Sequence, residues 1–168
     1  MSDLFVLAFD DPKGANEMLG AIQDLQKQLL IKVDDAAIVN RQEDGKVKIK
    51  QAVSLVGAGA LGGAFWGMLI GLLFFMPWLG LAIGAITGAI SGKLSDYGID
   101  DDFIKEVGST IEPGNSALFL MIRSMTEDKV MEELKKYDAK VVRTSLSKED
   151  EAKLRAAFGA EEEESPAV

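Results

Sequence analysis

The stretch QAVSLVGAGALGGAFWGMLIGLLFFMPWLGLAIGAITGAISG occupies residues 51–92 and contains no Asp, Glu, Lys or Arg. These 42 residues lie between Lys50 and Lys93. Two glycine ladders run through them. Gly59, Gly63, Gly67 and Gly71 are four apart, and Gly80, Gly84, Gly88 and Gly92 repeat the spacing after Pro77. A period of four keeps glycine on one side of a helix, where two backbones can approach closely. The run therefore reads as a helical hairpin inserted into the chain and packed through its glycines in a membrane. The arm from Val53 to Met76 would be roughly 36 Å long, enough to cross a hydrocarbon core. The arm from Trp78 to Leu94 would be roughly 25 Å, which is marginal. Phe74, Phe75, Pro77 and Trp78 form an uncharged tip, suited to the far interface or the bilayer interior.

The flanks of this run share a pattern. Leu4 to Phe9 (LFVLAF) is a continuous apolar strand, and Asp11 with Pro12 opens a helix expected to reach about Leu30. Ala36 to Arg41 is a second strand. Glu43-Asp44-Gly45 marks a turn, and Lys46 to Lys50 (KVKIK) alternates strictly, as in an edge strand guarded by lysine. Past the run, Asp100 is a helix cap, and Ala117 to Ile122 (ALFLMI) is a second all-apolar strand. Thr126 caps a helix to about Tyr137. Lys140 to Thr144 is the last strand, and Ser147 with Asp150 caps a helix through Phe158.

With the insert removed, the order is strand-helix-strand twice. This gives an α+β, ferredoxin-like split βαβ domain. Residues 1–50 and 95–158 are its two halves, 51–94 is the glycine-zipper membrane hairpin, and 159–168 is a disordered acidic tail. The first and third strands would be central, with Asn40, Arg41, Lys140 and Arg143 on outer strands. Because the central strands are apolar on both faces, the face left open by this fold also needs a cover. The last helix or a second subunit would supply it.

Composition excludes more chemistry than it suggests. The chain has no Cys and no His, which removes disulfides, thiolate nucleophiles and imidazole catalysis, and no cofactor or metal site is expected. The net charge of −9 argues against binding nucleic acid through phosphates. Asp100, Asp101 and Asp102 do not match a calcium loop and read as a solvated helix start. Gly57, Gly59, Gly62 and Gly63 lack the lysine of a phosphate loop. No catalytic residue emerges, and the chain reads as a non-enzyme. The N-terminus is not a signal peptide, and Lys46, Lys48, Lys50 and Lys93 flank the hairpin. Both termini are then expected on the cytoplasmic side of the membrane that holds the hairpin.

Five stretches resemble the bacterial family called domain of unknown function twelve-sixty-nine. They are LFVLAFDD (4–11), DGKVKIKQAV (44–53), GAGALGGAFWGMLIGLLFF (57–75), GKLSDYGIDDDFIKE (92–106) and RTSLSKEDEAKLR (143–155). The resemblance implies a membrane-associated bacterial protein, so that the hairpin is expected in the inner membrane with both termini cytoplasmic. It also implies a loose link to general stress proteins and no catalytic residues to carry over. The expected function is a membrane-anchored, self-assembling scaffold with lipid and its own copies as partners. A permeability pore and a ligand-sensing sheet domain are the alternatives. A hairpin buried inside a large soluble oligomer is a further possibility. The small-molecule ligand of a sensor is unknown.

Overall fold

A computed structural model describes residues 2–54, 66, 67, 69–71, 73, 98, 99 and 101–157. One antiparallel sheet holds five strands: β1 (Ser2–Phe9), β2 (Ile31–Arg41), β3 (Val47–Ser54), β4 (Ser116–Met125) and β5 (Lys140–Leu146). Their order is β3-β2-β4-β1-β5. Among the described residues, four helices with defined ends accompany them: α1 (Gly14–Lys27), α2 (Asp101–Thr110), α3 (Glu127–Lys136) and α4 (Lys148–Ala157). The fold is α+β, as expected. With β3 set aside, β4 separates β1 from β2 and β1 separates β4 from β5, an order compatible with the split βαβ arrangement.

The two all-apolar strands, β1 and β4, pair with each other in the middle of the sheet, Val6 opposite Phe119 and Leu7 opposite Leu118. β2 is not an outer strand. β3 folds back from the Glu43-Asp44-Gly45 turn and takes the edge, so β2 is paired on both sides. β3 also runs past Lys50, with Ala52 opposite Ala37 and Val53 opposite Ala36. Gln51 to Ser54 thus belong to the sheet and not to a helical arm. In β3 the alternation works as read: Val47 and Ile49 pack inward while Lys46, Lys48 and Lys50 are exposed.

One face of the sheet carries α1 and α3. Phe5, Leu7, Ile38, Leu118 and Leu120 meet Met18, Leu19, Ile22 and Leu25 of α1 and Val130 and Leu134 of α3. Asp11 supports the entry to α1, since its Oδ1 accepts the N–H groups of Lys13 (2.8 Å) and Gly14 (2.6 Å). Ser116 ties the same corner to β4. Its hydroxyl donates to the Asp11 carbonyl (2.7 Å) and accepts the Ala15 N–H (3.1 Å). Gly14 lets helix and strand meet, because a Cβ there would lie 2.5 Å from Phe9 Cβ. α1 ends three residues before the expected Leu30. The N–H groups of Leu29 and Leu30 return to the carbonyls of Gln26 and Leu25, with Leu29 left-handed at φ 63°. This is a Schellman closure with leucine where glycine is usual.

The other face is covered from within the chain. Trp66, Leu69, Ile70 and Leu73 are helical and buried, and they pack with α2 on Val6, Ala37, Phe119 and Met121. Their spacing of i, i+3, i+4, i+7 is that of a helix laid on a sheet. Trp66 stands edge-on to Phe119 with ring centroids 6.3 Å apart. α2 adds Phe103, Ile104, Val107 and, just beyond its end, Ile111. Neither α4 nor a second subunit is needed for this cover, contrary to the reading from sequence. Arg41 fastens it. Its Nη1 donates to the carbonyls of Gly108 (3.3 Å) and Ile111 (2.6 Å), at the C-terminal end of α2, where a cation is favoured and α2 supplies none itself.

These contacts revise the hairpin. Among the described residues no helix is long and apolar enough to cross a membrane. The part of the first arm that is described faces protein on one side, because the stripe from Trp66 to Leu73 fills a core. The rest of the hairpin, including Gly80, Gly84, Gly88, Gly92, Phe74, Phe75, Pro77 and Trp78, and the acidic tail lie outside the described residues.

Candidate functional site

Of the eight ladder glycines, Gly67 and Gly71 lie within the described residues; Gly59 and Gly63 do not. Both are helical. Gly67 is exposed, and no described atom lies within 4 Å of where its Cβ would be; Gly71 is half-buried. Trp66 and Leu69 on either side of Gly67 are 0% exposed. One short helical segment thus has two sides of opposite character. Large apolar side chains hold it to the sheet, and glycine is turned away. A helix surface made of glycine has almost no relief, so another backbone can come close there.

A second candidate is a groove of about 550 Å³ at the end of the sheet, lined by Gln26, Leu29 to Lys32 and Ser124 to Thr126. A ligand site needs polar groups free to converge on a guest. Here Gln26 Oε1 accepts the Val33 N–H (2.8 Å), and the Thr126 N–H donates to the Leu30 carbonyl (2.7 Å). These two polar groups serve the fold. Leu29, 88% exposed, is the one large hydrophobic residue standing out among those described.

The most buried charges lie at the same end of the sheet. β2 changes register against β4 between Val33 and Asp35, which leaves Asp34 as an extra residue. Asp34 is almost fully buried, and its carboxylate accepts two N–H bonds from Arg123, from Nε to Oδ1 (3.1 Å) and from Nη2 to Oδ2. The hydrogen bond to Asp34 and its charge raise the Arg123 pKa, with a smaller contribution from Glu151 of α4. The fork-to-fork geometry pins the bulge. It offers no nucleophile or proton relay. Sequence reasoning missed this pair, since it began the second strand at Ala36, beyond Asp34 and Asp35.

The family model described as a protein of unknown function, DUF1269, matches residues 60–159. The chain belongs to the DUF1269 family. The matched region runs unbroken from the first ladder through α2, β4, α3 and β5 into α4. The glycine-rich segment and the second half of the sheet are therefore parts of one family unit. No curated protein and no solved structure matches the chain.

Proposed function

We propose that this DUF1269 protein is a self-assembling structural module, held at a bacterial inner membrane by its uncharged run, with a ferredoxin-like sheet domain as its platform. One observation carries the reading: Gly67 faces away from the sheet with no described neighbour, while Trp66, Leu69, Ile70 and Leu73 fix the same segment to it. Such a mount presents a smooth glycine surface to a second helix, in the same hairpin or in another copy. Lysines 46, 48, 50 and 93 beside the run support cytoplasmic placement of the domain.

The test is a membrane fractionation followed by native mass measurement of detergent-extracted particles, wild type against Gly67→Leu. The wild type is expected in the membrane fraction as an oligomer. Gly67→Leu is expected to give smaller particles whose sheet domain unfolds at an unchanged temperature, because position 67 touches nothing described in its own domain. Recovery of the wild type in a detergent-free supernatant overturns the membrane part. Particles of unchanged mass for Gly67→Leu overturn the assembly part.

A further inference from the structure

We propose that the loop joining α1 to β2 rests on the lipid surface, with Leu29 inserted at the boundary of headgroups and acyl chains and Lys27 and Lys32 beside it among the phosphates. The inference rests on the membrane reading above and adds which end of the domain meets the bilayer. Leu29 is 88% exposed. The half-buried Leu30 and Met125 line the adjoining groove with it. The Leu29 backbone is left-handed at φ 63°, a conformation costly for leucine and easy for glycine. Glycine would close α1 at least as well. The fold thus keeps a large apolar side chain where its own backbone disfavours it and where no described neighbour covers it. An exposed apolar side chain on a strained backbone points to a contact outside the domain.

Hydrogen bonds fix the loop in this pose. The N–H groups of Leu29 and Leu30 return to the carbonyls of Gln26 and Leu25, the Val33 N–H donates to Gln26 Oε1 (2.8 Å), and the Thr126 N–H donates to the Leu30 carbonyl (2.7 Å). Leu29 is therefore presented on a prearranged mount, and little order has to be imposed when it enters an apolar phase. Lys27 and Lys32 are exposed, and neither is in an ion pair among the described residues. Glu127, next to Thr126 of the groove wall, is engaged by Arg143 (3.0 Å). Asp24 and Asp128 are exposed at the same end, so the attraction to phosphate belongs to the loop and not to the net charge of the domain.

Chain geometry turns this loop toward the uncharged run. β3 ends at Ser54, opposite Asp35 of β2. β2 begins at Ile31, opposite Met125, so the Leu29 loop projects about 13 Å past the level of Ser54. The return from the run reaches the same end. A Cβ on Gly98 would lie 2.6 Å from Asp150 Oδ2, in the first turn of α4. That helix follows directly on β5, which ends at Leu146 opposite Ser2. Asp3 in turn lies opposite Ile122 of β4, close to Met125. The chain therefore leaves β3 for the run, and returns from it before α2, at the end of the sheet that carries Leu29. A bilayer holding the run faces that end, and Leu29 is the apolar side chain that reaches toward it.

The absence of cysteine allows a single fluorophore to be placed at will. The full-length chain is reconstituted in vesicles of phosphatidylcholine with about a quarter phosphatidylglycerol, some lipids carrying a nitroxide high on the acyl chain. The label sits on Gln28→Cys, beside an intact Leu29, or on Glu43→Cys in the turn at the opposite end of β2, about 33 Å away along the strand. Interfacial insertion reaches only about 5–10 Å, so the nitroxide should quench the label at 28 and spare the label at 43. Leu29→Gln should bring quenching at 28 down to the level at 43. Lys27→Gln with Lys32→Gln should lower it part of the way. Equal quenching at both positions, in protein that floats with the vesicles, overturns the proposal and leaves the membrane reading standing. Quenching at 28 that survives Leu29→Gln also overturns it. Protein that does not float with the vesicles overturns both readings together. A label at 28 untouched by the lipid nitroxide yet shielded from an aqueous quencher, with the shielding lost on dilution, overturns the proposal in favour of a second copy seated on the loop.

Discussion

The two faces of the sheet are covered by different kinds of helix. α1 and α3 are ordinary amphipathic helices. They bury Met18, Ile22, Leu25, Val130 and Leu134 and show water a charged surface, including Glu17, Asp24, Lys129 and Glu132. The segment through Trp66 and Leu73 buries an equally regular stripe, yet on its outer side the exposed described residue is Gly67. The sheet needs only one side of any covering helix. Charge on the other side finishes a domain, whereas glycine on the other side leaves a surface that another helix can approach.

The comparison breaks most visibly at Trp66. If the glycine-rich segment is a true core layer, Trp66→Ala should destabilise the domain by about 3–5 kcal/mol, as for any large aromatic lost from a packed interior. Chemical denaturation measures it, with Ile22→Ala on the opposite face expected to cost about 2–5 kcal/mol. A Trp66→Ala loss below about 1 kcal/mol would show that the segment is not part of the core.

Gly14 and Gly67 sharpen the same contrast with one kind of substitution. Gly14→Ala drives a methyl into Phe9 and should cost about 1–3 kcal/mol. Gly67→Ala meets nothing described and removes a poor helix former, so the isolated fold should gain up to about 1 kcal/mol. Thermal melts of both variants decide it, and a loss at Gly67 would place a packed neighbour against that face.

The corner held by Ser116 gives an intermediate effect. Ser116→Ala leaves the Ala15 N–H without its acceptor in a buried place, at a cost of about 1–3 kcal/mol. Hydrogen exchange should quicken at the first turn of α1 and leave α2 unchanged. The smallest effect is expected at Leu29. Leu29→Gly relieves a left-handed backbone and removes an exposed apolar side chain, so stability should rise by up to about 1 kcal/mol. A fall would assign Leu29 a contact beyond its own domain.

The sheet was largely readable because its strands announce themselves in simple ways. LFVLAF and ALFLMI have no polar face, which places them in the middle, and KVKIK has one, which places it at an edge. β2 was read short because Asp34 and Asp35 are poor strand residues, and it takes a bulge and Arg123 to keep them in line. The covering stripe was hidden for the opposite reason. Trp66, Leu69, Ile70 and Leu73 have helical spacing, but Ala64, Phe65, Met68 and Leu72 around them are apolar too. A period shows only against a polar background, and this run has none. The glycine ladders were legible as a spacing; of their members Gly67 and Gly71 lie within the described residues, and no described atom packs on Gly67.

Arg41 has a bearing on how the chain comes together. It joins β2, made early, to the end of α2, some 70 residues later, and β2 and β1 must likewise wait for β4. None of these pairings can form until the intervening loop closes, so the fold has a high contact order and should fold slowly for its size. The entropy of that closure grows only as the logarithm of loop length, and doubling the loop adds about 0.6 kcal/mol. Evolution can therefore lengthen or shorten the run beyond Leu73 at small thermodynamic cost, provided the eight residues from Trp66 to Leu73 stay in reach of Phe119. A linker that spans the gap but lacks them would close the loop and leave one side of the sheet bare.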